Sequence, residues 1–399
     1  MKLRAFIQAL CLFLILVAPV VFFVLSQRKS GTPLGTAPGN AAAPAEVTHR
    51  EEGTGHGEED APPPGEPAEA PPVVVDWEAV IAGLREAEGP AATRDRLRGL
   101  RQWLLSMGPA AASGEILRFL ETGRDLPLGL RFRVGPGGRL AGAPSLRSTL
   151  LDWLGQWNPG TAGRRARTAL RNKGTELPAS EYVLHLRNFA WASRGEEGLA
   201  ATDKEFLLDQ TRALLRHEPW LNRPTPAVAE AVDVVVHLES ADLLPDLLEL
   251  LRPGAAPGLR AAAALGLERL VDRRPMEVLP ALLEADLPSV QRAASFARLH
   301  AATEPARELL AGYLASDRIP AEEKRSFLDY YPNLNNALSH NLLSAQLLNT
   351  EIVPAGERLR TAAARLDRWL ADPAFRELYP RLEQTRRRLQ QQISGKAAP

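Results

Sequence analysis

The sequence predicts an all-α protein, an α-α superhelix (solenoid) carried behind an apolar N-terminal segment and a linker. Three observations predict it. Ala, Leu and Arg dominate the 399 residues and aromatics supply only 6%, which suits closely packed helices better than sheets. Apolar residues recur at helical spacing through most of the chain beyond residue 76. A short pattern also occurs twice, as Leu243-Leu244-Pro245-Asp246-Leu247-Leu248 and as Val278-Leu279-Pro280-Ala281-Leu282-Leu283.

Residues 1–4 form a short basic start, and residues 5–25 are apolar apart from Gln8. At about 1.5 Å per residue that run spans roughly 31 Å, the thickness of a bilayer core. A cleaved signal peptide would carry a shorter apolar region closed by small residues. This run instead leaves through Phe22, Phe23, Val24 and Leu25, so residues 5–25 read as an uncleaved, single-pass transmembrane anchor. Lys2 and Arg4 are balanced by Arg28 and Lys29, so charge hardly orients it. The very short head and free amino terminus favour an N-terminus inside, with the bulk of the chain periplasmic or otherwise outside the cytoplasm. The one cysteine, Cys11, falls within the anchor, so the rest has no disulfide framework and no thiolate chemistry. That pattern fits an exported bacterial protein.

Residues 26–75 are rich in Pro, Gly and Ala, with eight acids and one base between Glu46 and Glu69. Too little apolar surface is present to offset the entropy of ordering, which predicts a disordered acidic linker with a reach of about 40 Å. His49 and His56 read there as solvated linker residues rather than metal ligands.

Residues 76–202 read as an N-terminal helical part. Asp76 is placed to cap a helix over residues 76–88 with Trp77, Val80, Ile81 and Leu84 on one face. Gly89-Pro90 ends it. A second helix over 93–107 carries Leu97, Leu100, Trp103, Leu104 and Met107, Gly108-Pro109 ends that one, and Ser113 opens a third. Leu128, Leu130, Phe132 and Val134 then alternate with Gly129, Arg131 and Arg133 ahead of Gly135-Pro136-Gly137-Gly138. This predicts a β-hairpin or ordered loop near residues 128–140. Its glycines lack the Gly-Lys-Ser/Thr ending of a phosphate loop, and capping one end of the helix stack is the simpler role. Helices resume over 145–157, 163–171 and 180–193.

Residues 203–335 hold the repeats. Helix pairs over 203–217 with 226–238, and over 305–315 with 321–330, flank the duplicated pattern. Each copy of that pattern leads through a turn into Arg-Ala-Ala, at Arg260-Ala261-Ala262 and at Arg292-Ala293-Ala294. These residues resemble HEAT repeats of the armadillo-like α-solenoids, whose first helix often carries Leu-Leu-Pro-x-Leu and whose second opens near Val-Arg-x-Ala-Ala. The resemblance implies stacked helix pairs that expose an extended surface for holding a partner. It also implies inward positions at Leu247, Leu251, Ala262, Leu265 and Leu282.

The densest amide cluster follows Tyr330 and Tyr331, at Asn333, Asn335, Asn336, His340 and Asn341. Caps and Asx turns account for such residues. With the tyrosines as anchors, the same residues are the candidate partner-binding site. Residues 336–399 read as a C-terminal helical cap, with helices over 356–371 and 373–393 and a basic tail containing Arg386-Arg387-Arg388. That tail reads as a solvated helix face.

Formal net charge is zero, so nothing supports a nucleic-acid partner. Serine-hydrolase elbows, His-Glu-x-x-His, cysteine pairs and Rossmann glycines are all missing from the sequence. Deoxyhypusine hydroxylase, an enzyme family built on HEAT-like repeats, binds iron through several His-Glu pairs, and only His217-Glu218 matches here. No catalytic residue, metal or cofactor is therefore expected. The function expected is that of a membrane-anchored scaffold that mediates protein–protein interaction without catalysis. The alternative is a solenoid-fold enzyme or ligand-binding module with its site near the hairpin or residues 333–341.

Overall fold

Proline placement lays out the helices. The structure, a computed structural model, describes residues 74–172, 177–195, 198–334, 342–343 and 353–395. Helices α1 (Trp77–Arg85), α2 (Gly89–Ser106) and α3 (Pro109–Glu121) follow one another with almost no connection. Asp76 caps α1, its carboxylate accepting the backbone N–H of Glu78 and Ala79 at 3.0 and 3.1 Å. Gly89-Pro90 and Gly108-Pro109, expected as stops, are also starts. Pro90 and Pro109 occupy the first turns of α2 and α3, where a missing N–H costs nothing and φ is preset. Gly108 takes φ +84°, which lets the chain turn sharply between the two helices. Ser113 consequently lies inside α3, where its hydroxyl donates to the carbonyl of Pro109. Trp103 is also displaced from expectation: it is exposed, because Leu97, Leu100 and Leu104 define the buried stripe of α2.

The hairpin falls where the alternation places it. Strands β1 (Arg133–Val134) and β2 (Leu140–Gly142) pair antiparallel. Below them Leu128 donates to Pro144 at 2.8 Å, and Leu146 donates to Leu126 at 2.9 Å. Phe132 and Val134 turn inward while Arg131 and Arg133 face solvent. The hairpin tip lies against the helix Ala179–Ala192, where Gly138 packs so closely on the Leu342 carbonyl and the Trp191 ring that a Cβ would collide.

Helices α4 (Leu146–Trp157), α5 (Pro159–Arg171) and α6 (Ala179–Ala192) come next. Asn158 closes α4 and caps α5, accepting the Thr161 N–H at 3.1 Å. A second, two-residue hairpin, β3 (Arg194–Gly195) with β4 (Gly198–Leu199), was not legible in the polar stretch that forms it. Then follow α7 (Ala201–Leu215), α8 (Glu218–Asn222), α9 (Pro226–Leu238), α10 (Leu244–Leu250), α11 (Pro257–Arg273), α12 (Pro275–Glu284), α13 (Ser289–Ala297), α14 (Glu304–Ala315) and α15 (Ala321–Tyr330). The C-terminal pair is α16 (Ala355–Ala371) and α17 (Tyr379–Ile393). A 3-10 turn at Pro373–Leu378 splits the single helix expected over 373–393, with Pro380 starting α17.

The described residues are thus mostly helical, and their main contacts run between helices one to three apart in the chain: α5 on α6, α9 on α11, α13 on α15, α16 on α17. One apolar cluster connects them from Val75 to Leu389. Leu247 and Leu282 are buried as expected, but Leu251, Ala262 and Leu265 are only half-buried. Leu250, Ala263 and Leu267 hold the inward positions instead. The two copies of the pattern also differ. Pro245 sits in the first turn of α10, whereas Pro280 lies inside α12, which begins at Pro275. No helix among the described residues is long and apolar enough to cross a membrane. The anchor expected at residues 5–25 and the linker up to residue 73 lie outside them.

Candidate functional site

Of the residues singled out by sequence, Tyr330, Tyr331 and Asn333 are described, and only Tyr330 is exposed. Tyr330 is 44% exposed. Tyr331 is buried, ring-stacked on Phe327 at 5.1 Å, and its hydroxyl accepts from Arg365 at 2.5 Å. Asn333 is buried too. Its amide donates to the Ala294 carbonyl at 3.2 Å and its backbone N–H to Ala297 at 2.9 Å, tying the chain after α15 back to α13. Asn335, Asn336, His340 and Asn341 lie outside the described residues.

Two groups of basic side chains contrast. The first is enclosed or half-buried and ion-paired. Arg187 on α6, 0% exposed, donates to Asp152 on α4 at 2.6 Å, to the Gly138 carbonyl at 2.8 Å and to Asn188 at 2.9 Å, with the Trp191 ring beneath its guanidinium at 4.1 Å. Asp152 also accepts from the Leu140 N–H and from Gln156. Burial pushes its carboxyl up while Arg187 pulls it back. This pair therefore holds the hairpin tip to two helices. Arg298, 1% exposed, grips Asp272 through two nitrogens at 2.7 and 2.8 Å. Arg292 of the second Arg-Ala-Ala segment forms a two-pronged pair with Glu323 at 2.7 and 2.8 Å, and Tyr313 donates to the same carboxylate. Burial opposes that charge, but the bonds from Arg292 and Tyr313 outweigh it and hold Glu323 below the usual carboxylate range.

The second group is open. A cleft of about 850 Å3 separates the end of α14 and the start of α15 from the 3-10 turn and the start of α17. Leu314, Ile319 and Phe375 are buried beneath it, and Leu378 is half-buried at its edge. Lys324, Arg325, Arg376 and Arg381 line it together with Asp317 and Glu377. Arg381 is bound to Asp329. Lys324, Arg325 and Arg376 have no ion-pair partner among the described residues.

The basic tail that stands out in the sequence is, by contrast, engaged. Arg386 pairs with Asp367 and Arg387 with Glu383. Arg388 donates to the carbonyls of Leu328, Asp329 and Tyr331 that end α15. Lys324 and Arg325 were not singled out in the sequence, where they follow Glu322 and Glu323. Their one available signal is that Glu323 occupies a buried register position, so it is turned away from its basic neighbours.

A smaller cleft of about 190 Å3 lies beside the hairpin, lined by Arg94, Arg98 and Arg101 of α2 together with Leu140 and Asp152. Among the described residues no His, Cys, Asp or Glu cluster could hold a metal. Comparison with family models, with curated proteins and with solved structures finds no match to this chain.

Proposed function

We propose that the chain is a membrane-tethered helical scaffold of the HEAT-like solenoid kind, which holds another protein outside the cytoplasm and performs no catalysis. Helix pairs packed mainly on their near neighbours in sequence support the repeat reading. The apolar run at residues 5–25 and the acidic linker support the tether. The observation that carries the binding role is a contrast in charge: Arg187 and Arg298 are engaged by the fold, while three cations without an ion pair among the described residues stand over an apolar floor in an open cleft. A surface of that kind suits recognition of a polypeptide. Cross-linking the full-length chain in native membranes, followed by purification, tests it. One protein recovered in stoichiometric amount supports the scaffold, and a chain recovered alone contradicts it.

The second reading, a ligand-binding module, draws on the arginine-lined cleft beside the hairpin. Asp152 in that cleft already has every strong partner it needs, which favours the scaffold.

A further inference from the structure

We infer that the cleft between α14–α15 and the 3-10 turn with α17 is the docking site for an acidic segment of the partner protein that also carries apolar side chains. This rests on the scaffold reading and gives it a location and a chemistry. Three features of the cleft lead there.

The first is unmatched charge. Arg381, Arg386, Arg387 and Arg388 nearby find acids or carbonyls, at Asp329, Asp367, Glu383 and the end of α15. Lys324, Arg325 and Arg376 do not. Three cations converge on one cleft against two acids, none of them ion-paired among the described residues, and the excess positive charge is matched by a negative partner. The second is the floor. Leu314, Ile319 and Phe375 give a dry base, and half-buried Leu378 offers apolar contact, which anchors side chains and not a bare polyanion. The third is the pair of acids, Asp317 and Glu377, on the same walls. They penalise the uniform negative field of nucleic acid or an anionic bilayer, and they favour a segment whose charges are spaced. The walls are also fixed in advance. Thr385 donates to the Leu328 carbonyl, Arg388 caps α15, and Arg381 ties α17 to Asp329, so little order has to be gained on binding.

Fluorescence anisotropy tests this with the full-length chain in neutral-lipid nanodiscs. The probe is a labelled peptide of about 15 residues in which Asp and Glu alternate with Leu and Phe. Lys324→Glu, Arg325→Glu and Arg376→Glu combined should weaken it roughly tenfold or more, without changing the circular dichroism. Arg131→Glu with Arg133→Glu, on exposed cations of the hairpin, should leave binding unchanged. Replacing the peptide's Leu and Phe with Ser should also weaken it. Equal binding by wild type and the triple variant, or equal binding by the Ser peptide, overturns the inference. So does dependence on the three cations seen only with phosphatidylglycerol vesicles. If the triple variant still cross-links to the same membrane partner as wild type, the scaffold reading stands and the cleft is not its site.

Discussion

Arg187 and Arg376 are the same side chain in two regions put to opposite uses. Under the hairpin, Arg187 is fully enclosed by Asp152, Asn188, the Gly138 carbonyl and Trp191. In the C-terminal cleft, Arg376 and Arg325 stand exposed beside half-buried Lys324, and none of the three is in an ion pair among the described residues. A buried guanidinium whose donors are directed, as those of Arg187 are, specifies one arrangement and is closed to anything else. An exposed, unmatched cation adds almost nothing to stability and is available to a partner. The first region is architecture and the second is a surface for contact.

The largest effect belongs to the first region. Arg187→Ala leaves the Asp152 carboxylate buried without its counter-charge and should cost about 3–5 kcal/mol in urea unfolding. A loss under about 1 kcal/mol would show that the hairpin is not held through this pair. Leu267→Ala, in the buried stripe of α11, should cost about 2–5 kcal/mol, and Leu265→Ala, half-buried beside it, clearly less. The reverse order would restore the register expected from sequence.

Acid should act on the closed region first. Burial pushes the His185 imidazole down from 6.5 to about 3, so the folded chain excludes a proton that the unfolded chain accepts below pH 6.5. His185 therefore costs no stability above that value, and its cost grows as pH falls toward 3. Glu323 follows: its lowered carboxyl contributes above the ordinary 4.5, and that contribution is lost as pH falls through the folded value. His185→Gln should flatten the pH dependence of unfolding between 6.5 and 4.5. An unchanged slope there would show that His185 is reached by solvent.

Much of the architecture was legible because prolines marked helix boundaries and apolar spacing marked helix faces. The register inside α11 was not. With Ala261, Ala262, Ala263 and Ala264 in succession it has no narrow apolar stripe, so periodicity cannot phase it. The cleft was illegible for a different reason. Whether an arginine is free depends on acids and carbonyls far away in sequence, as with Arg388 on the carbonyls of α15 and Glu323 taken by Arg292. Arg386-Arg387-Arg388 read as a solvated face and is engaged, while Lys324 and Arg325, which carried no expectation, line the open cleft. Tyr331 and Asn333 similarly read as contact residues but serve the interior.

The smallest effect on stability belongs to the open region. Lys324→Ala, Arg325→Ala and Arg376→Ala should each shift unfolding by no more than about 0.5 kcal/mol. A larger loss would mean that these cations are structural after all.

Hydrogen exchange on the full-length chain, with and without the acidic, Leu- and Phe-containing peptide, separates the two regions in one measurement. Protection should appear over residues 314–325 and 373–384, while the amides around Gly138, Asp152 and Arg187 exchange as before. Unchanged exchange in the cleft, or protection confined to the hairpin and α2, would contradict the assignment of the C-terminal cleft as the contact surface.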